Sequence, residues 1–205
     1  MNTQNQNLHI PIDNSINLML YKTCLKYKDN YNIDDFNLND TTNTNEINNN
    51  LTDLYNLNNI IENGYMPTKL KEIIDKGGSF NAVSYNSIYG SNTSAFMILV
   101  HNNNYKIIKN IIKNNKKYNI NYNYQTQDGY NALMIASMCG NYNITLLLCP
   151  LTNIDAVTRY NSTALIETLN NQHFEIAEYL INNGANIFIK TDKTKISALD
   201  LICKY

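Results

Sequence analysis

The residues able to carry covalent or metal chemistry are few: His9, His101 and His173, with Cys24, Cys139, Cys149 and Cys203. A thiolate–imidazole nucleophile would need Cys139 or Cys149 beside His101 or His173. Cys139 stands one residue before Gly140 at a turn, and nothing near it in the chain would lower a thiol pKa. The cysteines are widely spaced with no CxxC, and no His/Cys/Asp/Glu group has metal-ligand spacing, so neither a metal nor another cofactor is expected. The chain has no glycine-rich phosphate loop and no GxSxG. The adjacent carboxylates Asp34 and Asp35 read as solvated loop residues. Catalysis is not expected anywhere in the chain.

What the sequence does carry is a pattern that returns about every 33 residues, the period of a helical solenoid. Its clearest copy runs from Asn161 to Ile187, and a second runs from Asp128 to Leu148. First helices open at Thr52-Asp53-Leu54-Tyr55, Ser94-Ala95-Phe96-Met97, Asn131-Ala132-Leu133-Met134, Thr163-Ala164-Leu165-Ile166 and Ser197-Ala198-Leu199-Asp200. A Ser, Thr or Asn at each start can cap the helix by accepting orphan backbone N–H bonds. The small alanine beside it admits a neighbouring repeat. Leu133, Ile135 and Ala136, like Leu165 and Thr168, recur at helical spacing and are expected to face inward. Second helices end at Ile74, Ile112, Leu148 and Ile181. Glycine is scarce at 7 residues, yet Gly77, Gly78, Gly129, Gly140 and Gly184 all fall where a turn is expected.

Ahead of the repeats, Asn14 to Lys28 reads as an amphipathic helix with Ile16, Leu20, Cys24 and Tyr27 on one face. Residues 37–50 are polar, low in complexity and rich in turn formers, the best boundary in the chain. The expected division is a segment at 1–50 and an array at 51–205, with repeats at about 51–86, 89–124, 127–157 and 159–190 and a partial one at 193–205. Two irregularities stand out. Residues 113–127 exceed a standard hairpin, and Cys149-Pro150-Leu151-Thr152 replaces a closing glycine. The last helix is expected to leave Leu199, Leu201 and Ile202 uncovered.

Composition narrows the function. Lys+Arg 16 against Asp+Glu 17 leaves a net charge of -1, which argues against nucleic acid as a partner. Lys106, Lys109, Lys113, Lys116 and Lys117 read as the solvated face of a helix. The longest apolar runs fall far below the ~18 residues that span a bilayer, so no membrane partner is expected. Met1 to Asn7 does not resemble a signal peptide, and unpaired cysteines fit a reducing compartment, so an intracellular, cytoplasmic location is expected. Asn is about one residue in five, and Asn, Ile, Lys and Tyr share AT-rich codons. The bias reads as the mark of an AT-rich genome, such as that of a large DNA virus, rather than of a mechanism.

Thr163-Ala164-Leu165-Ile166 and Leu180-Ile181-Asn182-Asn183-Gly184-Ala185 resemble the opening and closing motifs of the ankyrin repeat family, with Ala for Pro and no His in the first. The resemblance covers residues 51–205. It implies an all-α, ankyrin-type helical solenoid of helix–turn–helix repeats joined by hairpin loops, which binds proteins and is not an enzyme. By the same resemblance, His173 makes structural hydrogen bonds across its turn. A partner would contact the hairpin tips and the inward ends of the first helices. Those positions are Gln127, Asp128 and Tyr130, then Arg159, Tyr160 and Ser162, then Lys193, Thr194 and Ile196. The helix ends add His101 and Asn102, Met138 and Cys139, and Asn170 and Asn171. A monomer engaging one protein partner is expected. The alternative is an adaptor, in which the N-terminal segment recruits a ubiquitin ligase or other host machinery to a client held by the array.

Overall fold

The computed structural model describes residues 68–84, 89 and 92–204. The expected N-terminal helix, the boundary at 37–50 and the first repeat's opening helix lie outside the described residues, as do His9, Cys24, Asp34 and Asp35. The chain enters through α1 (Thr68–Asp75). A two-residue antiparallel ladder follows, β1 (Val83–Ser84) with β2 (Thr93–Ser94), in which Val83 faces Ser94. Three helix pairs come next. The first pair is α2 (Ala95–His101) and α3 (Tyr105–Lys113), followed by a short α4 (Asn115–Tyr118). The second is α5 (Ala132–Met138) and α6 (Tyr142–Leu148), and the third is α7 (Ala164–Asn170) and α8 (Phe174–Asn182). The last described helix is α9 (Ala198–Ile202).

Each first helix starts because a side chain satisfies its backbone. Ser94, Asn131, Thr163 and Ser197 accept from the N–H of Met97, Met134, Ile166 and Asp200 at 3.2, 2.8, 3.3 and 3.2 Å. Asp200 returns the bond, its carboxylate accepting from the Ser197 N–H at 2.9 Å and from its hydroxyl at 2.8 Å. Those backbone and hydroxyl donors hold the Asp200 carboxyl below the usual range.

The helices stack in two rows. α2, α5, α7 and α9 pack in sequence as one row, and α3, α6 and α8 as the other. The first row has no solvent face over most of its length: Ala95 to Val100 and Ala132 to Ser137 are all buried. This exceeds the inward stripe expected from Leu133, Ile135 and Ala136. α5 is covered by α2, by α7 and by its own second helix, so even Met134 is at 0% exposure. Second helices have one free side and stay amphipathic. Ile107, Ile108 and Ile111 of α3 enter the core while Lys106, Lys109 and Lys113 stay exposed. One continuous apolar cluster runs from Leu70 to Leu201.

The two irregularities become short helical turns. The long connection folds as α4, and Cys149–Leu151 forms a 3-10 turn closed by the Thr152 hydroxyl donating to the Leu148 carbonyl at 3.0 Å. At the C-terminal end Leu201 is buried, contrary to expectation, because α9 turns it onto the preceding helix. Leu199 and Ile202 remain partly open, and among the described residues Phe188 is the most exposed large apolar residue at 68%.

Asparagine has a structural use that codon bias had obscured. The Asn81, Asn123 and Asp155 side chains accept from the backbone N–H of Asn121, Asn153 and Asn186, each about one repeat later, at 3.2, 2.6 and 2.8 Å. The Asn121, Asn153 and Asn186 side chains then accept from the N–H two residues on, at Asn123, Asp155 and Phe188. These local turns alternate with cross-repeat bonds, so a ladder of Asn and Asp side chains ties the loops after the second helices together.

Candidate functional site

The hairpin tips are built by recurring backbone geometry. The residue two before each first-helix cap is left-handed: Asn92, Gly129, Asn161 and Lys195, with φ of 68, 85, 58 and 56°. In the two tips ahead of α5 and α7, a threonine closes the hairpin. The Thr126 N–H donates to the Tyr130 carbonyl at 2.9 Å while its hydroxyl accepts from the Tyr130 N–H at 3.1 Å. Thr158 does the same with Ser162, at 2.9 and 3.1 Å. Neighbouring tips are then hydrogen-bonded directly. The Arg159 N–H donates to the Asp128 carbonyl, and the Asp192 N–H to the Tyr160 carbonyl, both at 2.9 Å. Gln125 spans one step further, its amide donating to the Gly129 and Val157 carbonyls. Gly129 makes this nesting possible: a Cβ there would lie 2.7 Å from Thr158 Cα.

On this rigid edge sits one polar–aromatic cluster. Arg159 Nη1 lies 2.8 Å from Asp128 Oδ1. Arg159 Nη2 donates to the Tyr160 hydroxyl at 2.6 Å, and the guanidinium sits 4.8 Å from that ring's centroid. Tyr160 is 51% exposed. Tyr130 is half-buried, its ring 5.8 Å from that of Tyr89. Burial first, then the Glu167 and Asp128 carboxylates, push its hydroxyl pKa upward.

The other expected contact residues divide by burial. Gln127, Asn170 and Asn171 are exposed, and the Asn171 amide is already engaged in closing α7 by donating to the Glu167 carbonyl at 2.8 Å. Met138 and Asp128 are half-buried. Ser162 is a correction: it is 5% exposed and belongs to the hairpin's interior, because the same bonds that close the tip turn it away from solvent. Lys193, Thr194 and Ile196 are exposed on the next tip.

The turn glycines Gly77, Gly140 and Gly184 have φ of 94, 73 and 89°. Asn103 and Gln172, at the position of Gly140 in neighbouring repeats, are also left-handed, at 58 and 61°. His173 bonds across its own turn through its backbone, the N–H donating to the Thr168 carbonyl at 3.1 Å, and its ring Nε2–H donates to the Met138 carbonyl of the preceding repeat at 3.1 Å. Asn141 does the same one repeat earlier, its amide donating to the Val100 carbonyl at 2.8 Å.

A further cluster was not legible in the sequence. Tyr89 Oη lies 2.6 Å from His101 Nδ1 and 3.3 Å from Cys139 Sγ, and that sulfur is 3.5 Å from the same nitrogen. Cys139 therefore does have an imidazole beside it, the pairing a thiolate–imidazole nucleophile would need. Burial nonetheless raises its pKa, an effect the Tyr89 hydroxyl only partly offsets, so the group is a thiol at neutral pH. Tyr89 is itself pushed well above the usual phenol range, chiefly by burial. Among the described residues no group of three or more His, Cys, Asp and Glu could hold a metal ion, and no helix is long and apolar enough to cross a membrane.

A family model described as "Ankyrin repeats (3 copies)" matches residues 57–158 and 96–192. A search of the curated proteins found no match to the chain.

Proposed function

Since the chain belongs to the ankyrin repeat family, whose members are generally protein–protein interaction modules and typically not enzymes, we propose that its hairpin edge binds one protein partner. The partner seats on the tips at Gln127, Asp128, Tyr130, Arg159 and Tyr160 and on the helix ends at Met138, Asn170 and Asn171. The observation that carries this reading is the locked Asp128–Arg159–Tyr160 group on tips hydrogen-bonded to one another. A cation and an aromatic ring fixed before binding lose little conformational entropy on association. The array at 51–205 is the binding unit and residues 1–50 a separate segment; the described residues offer no observation that favours the adaptor reading.

The test is capture of partners from lysate by the intact chain and by Arg159→Ala/Tyr160→Ala, followed by titration of the purified partner. Each substitution is expected to weaken binding by ~1–2 kcal/mol with helical content unchanged. Equal capture by both chains would remove this edge from consideration.

A further inference from the structure

The second-helix row points to a partner of its own. Superposing the repeats by helix starts puts Tyr105, Tyr142 and Phe174 at one position, the first residue of α3, α6 and α8. Tyr142 is 39% and Phe174 50% exposed, while Tyr105 is half-buried. The next position holds Lys106, Asn143 and Glu175, and the one three residues further holds Lys109, Leu146 and Glu178. All four charged residues are exposed. The same surface thus reads basic on α3, neutral on α6 and acidic on α8. Adjacent helices in a packed row lie about 10 Å apart, so the basic and acidic ends are separated by about 20 Å with the neutral helix midway.

A surface whose charge reverses sign about its own midpoint is complementary to itself when rotated by 180° about that midpoint. This is the requirement of an isologous two-fold contact. We propose that this face pairs with a second copy of the chain, antiparallel, with the two-fold axis at α6. Lys106 and Lys109 of one copy then meet Glu175 and Glu178 of the other, twice over by symmetry. Tyr142 meets its own copy at the axis, and Tyr105 lies opposite Phe174. The aromatic row supplies contact area and the charges fix the direction, since a parallel pairing would set lysine on lysine and glutamate on glutamate. The Tyr142 ring is held for this role by an edge contact with Tyr179, centroids 6.3 Å apart. Lys109 is held near the row by its approach to the Tyr105 ring at 5.7 Å. The contact lies on the second helices and leaves the hairpin edge free, so a dimer presents two partner-binding edges and gains avidity toward a clustered partner. The pairing does not depend on the hairpin edge being the partner site, and it replaces the expectation of a monomer.

Sedimentation equilibrium of the full chain over a range of concentrations tests this. The wild type is expected to dimerise reversibly, and less so near 1 M salt, where charges are screened beyond about 3 Å. Lys106→Glu/Lys109→Glu and Glu175→Lys/Glu178→Lys should each weaken self-association by about tenfold or more, since four favourable pairs become four repulsive ones. Mixing the two variants should restore a dimer, because every facing pair is again of opposite sign. Circular dichroism checks their folding; if either reversal fails to fold, Lys106→Gln/Lys109→Gln takes its place, with weakened dimerisation as the expected result. A wild type that stays monomeric overturns the proposal. So does a dimer indifferent to the substitutions, or a mixture that fails to recover.

Discussion

At the scale of single residues, backbone handedness decides which substitutions are tolerated. Lys195 occupies the left-handed position that Gly129, Asn92 and Asn161 fill in other repeats, at φ 56°. A β-carbon there costs roughly 1–2 kcal/mol, and asparagine relieves part of it through local hydrogen bonding. Lys195→Asn is therefore expected to stabilise the chain by about 0.5 kcal/mol, and Lys195→Gly by up to about 1 kcal/mol, read as a shift in the urea midpoint at constant slope. Gly140 is the opposite case. At φ 73°, an added Cβ would also meet the His173 ring at 2.6 Å, so Gly140→Ala should cost more than Gly184→Ala, where nothing lies within 4 Å. The expected difference is about 1–2 kcal/mol, and a smaller one would mean that the ring moves freely. The glycines were legible by type. Asn103, Gln172 and Lys195 were not, because the strain is imposed by the repeat geometry and nothing in those side chains announces it.

At the scale of elements, in two repeats a hydrogen bond joins the start of a second helix to the first helix of the preceding repeat. Asn141 is buried and its amide reaches the Val100 carbonyl. Asn141→Ala would remove this donor while the Asn103 N–H still serves the carbonyl, and is expected to cost about 0.5–1.5 kcal/mol in thermal or chemical denaturation. His173 serves the same place with a larger ring, which fits only because Gly140 has no side chain. The asparagine ladder is a weaker tie on the exposed side. Asp155→Ala should cost about 1 kcal/mol, whereas Asp155→Asn keeps the acceptor for the Asn186 N–H and should be nearly neutral. Equal losses from the two would show that charge, not the bond, matters at Asp155.

At the scale of the whole molecule, buried phenols make stability fall in alkali. The Tyr124 hydroxyl donates to the Asn92 carbonyl at 2.6 Å, and burial pushes its pKa up to about 12. Burial raises Tyr89, Tyr122, Tyr130 and Tyr179 in the same direction. A tyrosine in the unfolded chain releases its proton near pH 10 while the folded one retains it. The stabilisation is thus complete below about pH 10 and is lost as pH rises toward about 12 for Tyr124. Urea midpoints should be level up to about pH 9 and drop beyond pH 10, with Tyr124→Phe reducing the slope of that drop. A flat profile through pH 11 would contradict the burial of these rings.

Helices, caps and the repeat itself are set by neighbours within a few positions. For that reason Ser94, Asn131, Thr163 and Ser197, the alanines beside them and the second-helix ends could be read from the sequence. Family membership and the solenoid class followed from the same local pattern repeated at a fixed interval. Tertiary stacking decided what depends on the offset between repeats: Ser162 and Leu201 turned inward, and His173 bonded to the preceding repeat. It also brought together Tyr89, His101 and Cys139, and tied Asn81, Asn123 and Asp155 to backbone about one repeat away. Those contacts join residues some 30 or more positions apart in most cases, and a periodic pattern fixes which face of a helix is apolar but not which atoms meet once that face is covered.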